Sequence, residues 1–187
     1  MPPKVRVTKE EIVDAAVAVV RKLGVEALGA RTVAIALACS TQPVFSNFAT
    51  MDELRLAVVA KAEELCGEYI RREIESGAYP AYKASGMAYI RFAKEEKELF
   101  KLLYMRDRRS ETPPESDTLG ERMTAVVRGN TGLTDEAAKL FHLEMWAFVH
   151  GIATMLVTGF VDLDWELISR MLTDAYQGLR KQYEVEG

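Results

Sequence analysis

Apolar residues recur at three- and four-residue intervals along almost the whole chain, and no stretch keeps the strict alternation of a half-buried strand. The first run, "TKEEIVDAAVAVVRKLG", opens with Thr8 and Glu11 at capping-box spacing and ends at Gly24. Its stripe is Ile12, Ala16, Val19, Val20 and Leu23. Two short helices follow, "ARTVAIAL" and "STQPVFSNF", separated by "AC". Thr50 and Glu53 form a second capping box ahead of a long helix striped by Leu54, Val58, Ala62, Leu65 and Tyr69 and closed near Gly77 and Pro80. "AYKASGMAYIRFAKEE", "KELFKLLYM", "TLGERMTAVVRG", "DEAAKLFHLEMWAFVHGIATMLVTGF" (capped by Thr134) and "DLDWELISRMLTDAYQGLRKQYE" complete about nine helices. The pattern predicts an all-α fold.

The two shortest helices carry the most information. Joined by a tight turn, residues 29–48 fit a helix-turn-helix. Ala34, Ala36 and Ala38 are small enough to let the helices cross closely, and Ser40 is placed to cap the second one. Pro43 falls in its first turn, where an N–H has no intrahelical partner to lose. Val44 and Phe48 point inward, leaving Thr41, Gln42, Phe45, Ser46 and Asn47 outward. Gln and Asn can bond an adenine edge in two places, Ser and Thr can bond phosphates or bases, and apolar groups can meet a thymine methyl. A wet surface turn in a helical bundle has the same polarity, so periodicity alone leaves both readings open.

Charge sharpens the picture. Residues 1–50 carry six Lys/Arg against four Asp/Glu, and residues 51–187 carry eighteen against twenty-four. The opening "MPPKVRVTK" holds Lys4, Arg6 and Lys9 with no acid, a basic arm suited to a polyanion. No apolar run approaches the roughly 20 residues that span a bilayer, and no signal peptide is visible, so a cytoplasmic protein without a membrane partner is expected. Cys39 and Cys66 form no CxxC and have no nearby His pair, which argues against zinc; two reduced, mostly buried thiols are expected, with a redox pair as the alternative. His142 and His150 are the only histidines, and no ExxH pair, Ser-His-Asp set or Gly-rich phosphate loop appears. No cofactor, metal or catalytic residue is assigned, and a helical enzyme or metal carrier is the least favoured class.

Ile12, Ala15, Ala16, Gly24, Arg31, Val33, Ala34, Ser40, Val44, Phe45, Phe48 and Leu54 occur in the order and spacing of the DNA-binding domain of the TetR family of bacterial transcriptional regulators, which residues 8–59 resemble. Further on, Trp146, His150 and Gly151 resemble the WHG type of TetR C-terminal domain, and "YIRFAKEEKELFKLLY" is similar to that domain's helices five and six. The resemblance implies two domains, a helix-turn-helix domain at 6–66 and an effector-binding and dimerisation domain at 67–187. It also implies a homodimer joined by the last two helices, a palindromic double-stranded DNA operator, and a small-molecule effector that releases a repressor. Lys4, Arg6, Thr8, Arg31 and Thr50 become the expected phosphate contacts. Met87, Tyr89, Tyr104, Met105, Met123, Trp146 and His150 become candidates for an adaptable effector pocket. Met87 and Tyr89, two apart on one helix, cannot both face it squarely. From the residues alone, Trp146 and His150 read either as pocket walls or as a core indole with a histidine satisfied by a carbonyl.

Departures from the family pattern lie at the DNA side. Phe45 stands where Tyr is usual, Asn47 where His is usual, Met51 in place of Lys, and Gly29 in place of a capping Thr. These define an alternative reading, a relative that keeps dimer and pocket but has weakened DNA contacts.

Overall fold

In a computed structural model, which describes residues 7–106 and 118–185, every regular element is helical. The helices are α1 (Lys9–Leu23), α2 (Ala30–Ala36), α3 (Gln42–Asn47), α4 (Met51–Ser76), α5 (Ala81–Glu95), α6 (Lys97–Tyr104), α7 (Thr118–Thr131), α8 (Asp135–Val157) and α9 (Trp165–Val185). A single 3-10 turn, Val25–Ala27, lies between α1 and α2. The described residues pack as two units. One contains residues 7–67 with 96–106, the other 68–95 with 118–185, so α4 is shared between them after Gly67.

In the first unit α1 is the central element, packed on α2, α3 and α6. The Thr8 capping box forms as expected: Thr8 Oγ1 accepts the Glu11 N–H at 3.1 Å, and the Glu11 carboxylate accepts the Thr8 N–H at 2.7 Å. The Thr8 N–H, and the Thr8 hydroxyl donating at 3.0 Å, hold the Glu11 carboxyl below its usual pKa. Ile12, Ala16, Val19 and Val20 are buried as expected, but Leu23 is 58% exposed and Val17 takes its place in the core. The helix stops one residue later at Gly24, whose φ of 82° is open to glycine and costly to other residues. Although α6 falls within 67–187, it packs on α1. Leu99, Phe100, Leu102 and Leu103 are buried, and Arg21 donates twice to the Glu96 carboxylate at 2.8 Å.

In the second unit α8 packs on α5, α7 and α9. Thr134 caps it by accepting the Ala137 N–H at 3.3 Å. Phe141, Met145, Val149, Ile152 and Leu156 are buried, with Phe141 edge-on to Tyr176 of α9. Gly86 of α5 lies where three helices meet: a Cβ there would stand 2.9 Å from Leu172 Cδ2 and 3.5 Å from Val149 Cγ2. No uninterrupted apolar run approaches the length that spans a bilayer, but α8 is long and apolar enough by average composition. Its 18-residue window has mean hydropathy 1.4, since Glu144 and two histidines interrupt the apolar residues without lowering the average far. Only 39% of that window is buried within the chain.

Candidate nucleic-acid interface

The turn that separates α2 from α3 is a Schellman motif. The Cys39 N–H bonds the Ala34 carbonyl at 2.9 Å and the Ala38 N–H bonds that of Ile35 at 3.0 Å. Ala38 occupies the left-handed position of that motif, with φ 51°. This corrects two sequence expectations. Ala34 is buried, but Ala36 and Ala38 are exposed, so only Ala34 acts as a small residue at a packed surface. Ser40 does not cap α3. Thr41 occupies that position, already helical in φ and ψ and making no side-chain capping bond, with Pro43 in the first turn.

Val44 and Phe48 are sunk to 0% and 2% exposure, and this anchoring turns the other face of α3 to solvent. Thr41, Gln42, Phe45 and Ser46 are exposed, Phe45 by 54%. The Ser46 hydroxyl donates to the Gln42 carbonyl at 2.9 Å and keeps its lone pairs as acceptors. Asn47 is half-buried and does not point outward with the others. Its amide donates to the Pro43 carbonyl at 2.8 Å and reaches the Val7 carbonyl at 3.5 Å.

The expected phosphate contacts differ in what their side chains have left to offer. Arg31 is exposed, with no ion-pair partner among the described residues. Thr50 Oγ1 accepts the Glu53 N–H at 3.2 Å, which leaves its O–H able to donate. The Thr8 hydroxyl both accepts from Glu11 N and donates to the Glu11 carboxylate, so its hydrogen is already committed. Lys4 and Arg6 lie outside the described residues. Lys9, part of the same basic run but not among the expected contacts, holds its ammonium 4.9 Å from the centre of the Phe48 ring at the end of α3. Membership in that run was the signal in the sequence.

The residues expected to form an effector pocket are divided between the two units. Met87, Tyr89 and Met123 are buried in the second unit, so both Met87 and Tyr89 are interior despite their spacing. Tyr104 and Met105 belong to the first unit, Tyr104 beside Cys66 (3.8 Å) and Phe100, Met105 exposed. The reading of Trp146 as a core indole does not hold. Trp146 is 41% exposed instead of core, its ring lies 18° from parallel to that of His150 at 5.0 Å, and His150 Nδ1 is 2.9 Å from the Tyr89 hydroxyl. Burial lowers the His150 pKa from its usual value. Trp146 also walls an open groove of about 580 Å³ between α7 and α8, together with Arg128, Lys139, His142 and Leu143. Cys66 is buried and its thiol is pushed up to about 11 by desolvation, so it is unreactive at neutral pH. Cys39 is half-buried in the turn.

A helix anchored by two apolar residues, presenting a short polar face beyond a tight turn, defines a helix-turn-helix protein. A family model described as the tetracyclin repressor-like C-terminal domain matches residues 82–175, just over half of the chain. The crystal structure of a TetR-like transcriptional regulator from Rhodococcus sp. RHA1 superimposes with a TM-score of 0.66 over 100% of both chains, at 16% identity. No curated protein matches the chain. The chain belongs to the tetracyclin repressor-like family. That family is one of transcriptional regulators and is generally non-enzymatic.

Proposed function

We propose that this protein is a cytoplasmic homodimeric repressor with a WHG-type C-terminal domain, released from a palindromic operator by a small-molecule effector. The observation that carries the DNA side is the exposed face of α3, with Gln42, Thr41, Phe45 and Ser46 set on the anchored Val44 and Phe48. Two such faces related by a twofold axis read half-sites about one helical turn (~34 Å) apart, which requires a palindrome. Arg31, Thr50, Lys4 and Arg6 supply phosphate contacts that fix register, and Gln42 and Phe45 supply base-edge and methyl contacts. Dimerisation through α8 and α9 is supported by the exposed Leu140, Leu143, Trp146 and Phe148 on the other side of α8 from its buried residues. Effector binding in the second unit acts through differential affinity for the DNA-bound and free states, with the continuous α4 as the shared element.

The experiment is operator selection from random duplex DNA, followed by a mobility-shift titration. Recovery of a palindrome that the protein retards, and that loses its retardation when one half-site is scrambled, is expected. No enrichment even at low salt sinks the reading. Weakened DNA contact is favoured by one observation, the turning of the Asn47 amide toward carbonyls. Binding by Asn47→His and Met51→Lys variants, but not by the wild type, would make that second reading the correct one.

A further inference from the structure

The groove between α7 and α8 lies within the second unit and takes no part in the face that α3 presents. Its volume of about 580 Å³ suits a small molecule. A three-residue turn folds α8 back along α7, so the groove has two unlike ends. At the turn end, the Asp135 carboxylate accepts from Arg128 at 3.0 Å through one oxygen and from Lys139 at 3.1 Å through the other. Two cations share one carboxylate there, which leaves a net positive charge, and each has donors beyond the one given to Asp135. Thr124 lies about one turn along α7 from Arg128. It is 8% exposed, it lines the groove, and its hydroxyl has no hydrogen-bond partner among the described residues. A buried polar group in that state calls for a partner from the groove. Toward the far end the wall becomes apolar. Leu143 and Trp146 stand about one and two turns along α8 from Lys139, and the stack on His150 holds the indole in place. Glu121 borders the same end, about two turns before Arg128.

We propose that this groove binds a small amphipathic monocarboxylate. The carboxylate sits between Lys139 and Arg128, beside the Thr124 hydroxyl, and the apolar or aromatic body lies over Leu143 toward Trp146. Charge-assisted hydrogen bonds hold the head, and a wall already fixed in place spares the body an ordering cost. Glu121 gives the groove its direction. An anion at the Trp146 end meets a like charge, so a dicarboxylate is rejected. The inference does not rest on the operator reading, because binding is measured without DNA.

The test is calorimetric titration of the full chain with phenylbutyrate, with its neutral analogue phenylbutanol, and with carboxyphenylbutyrate, which carries a second carboxylate at the far end of the ring. Saturable binding of one phenylbutyrate per chain is expected, with the other two weaker by about tenfold or more. Lys139→Gln, at an exposed side chain, cancels the net charge of the turn end. It is expected to weaken phenylbutyrate by about tenfold and to leave phenylbutanol unchanged. Thr124→Val replaces the hydroxyl by a methyl and weakens phenylbutyrate by about threefold. Glu121→Gln is expected to gain: it binds carboxyphenylbutyrate as tightly as phenylbutyrate, a result that no misfolded variant gives. Equal affinity for the acid and the alcohol, or an unchanged affinity in Lys139→Gln, makes the groove an unspecific apolar surface and overturns the proposal. So does a titration with millimolar phenylbutyrate in which neither heat nor tryptophan fluorescence saturates. Because Leu143 and Trp146 border both the groove and the face proposed for dimerisation, the titration is run at two protein concentrations. Affinity that falls as the protein is concentrated makes a second copy the occupant and overturns the site; constant affinity supports it.

Discussion

Ala38 holds a backbone position that glycine occupies at far lower cost. Its φ of 51° closes the Schellman motif between α2 and α3, and a Cβ in that region opposes the carbonyl oxygen of its own backbone. Ala38→Gly removes that opposition and adds unfolded-state entropy, for a net stabilisation of about 0.5–1 kcal/mol. A shifted midpoint with unchanged slope in urea unfolding would show it; a loss of stability would mean that the turn is not left-handed. His150 gives a prediction of the opposite kind. Burial disfavours its charged form, so below the ordinary histidine pKa the unfolded chain binds more protons than the folded one. Its contribution is complete above about pH 6.5, declines as the pH falls through that value, and levels off below the lowered folded pKa. Melting temperatures taken at about pH 7.5 and about pH 5.5 are expected to differ less in His150→Gln than in wild type.

At the scale of elements, helices were legible wherever a stripe and a cap coincided. Thr8, Thr50 and Thr134 all accept the backbone N–H three residues on, so each start was readable from one side chain. Tertiary choices were not. Leu23 fits the stripe of α1, but Gly24 ends the helix beside it and leaves the side chain exposed. The grouping of α6 with α1 joins buried Leu99, Phe100, Leu102 and Leu103 and the Arg21–Glu96 pair, which spans 75 positions and follows no local pattern. On α3 the residue types were legible, but not that Asn47 would prefer two carbonyls to solvent. Gly86 shows the same limit, since its sequence context is ordinary helix and its role is contact. Gly86→Ala gains about 1 kcal/mol of helix propensity, yet drives a methyl to 2.9 Å from the buried Leu172. Overpacking at such a junction costs about 1–3 kcal/mol, so a net loss of up to about 2 kcal/mol is expected in denaturant unfolding. A stabilised variant would show that α5 and α9 are not in close contact at this point.

For the molecule as a whole, the exposed side of α8 poses the question of what covers it. Leu140, Leu143, Trp146 and Phe148 are between 37% and 57% exposed, on a helix whose window averages a hydropathy of 1.4. A bilayer is a poor answer, because Phe141, Met145, Val149 and Ile152 on the other side are core and could not leave it without unfolding the unit. A second copy of the chain is a better one. Leu140, Leu143 and Ala147 recur at helical spacing, and Gly151 continues the row with open space where a Cβ would stand, so two such rows can approach closely. Leu143→Glu puts a charge in the middle of that row and leaves the buried side untouched. Sedimentation at micromolar concentration is expected to change from dimer to monomer while helicity is retained. The two α3 faces then bind half-sites separately, and operator affinity falls by about a hundredfold or more, because the second contact no longer benefits from a tethered first one. A Leu143→Glu protein that still sediments as a dimer would place the interface elsewhere on the surface, and with it the spacing that makes a palindrome readable.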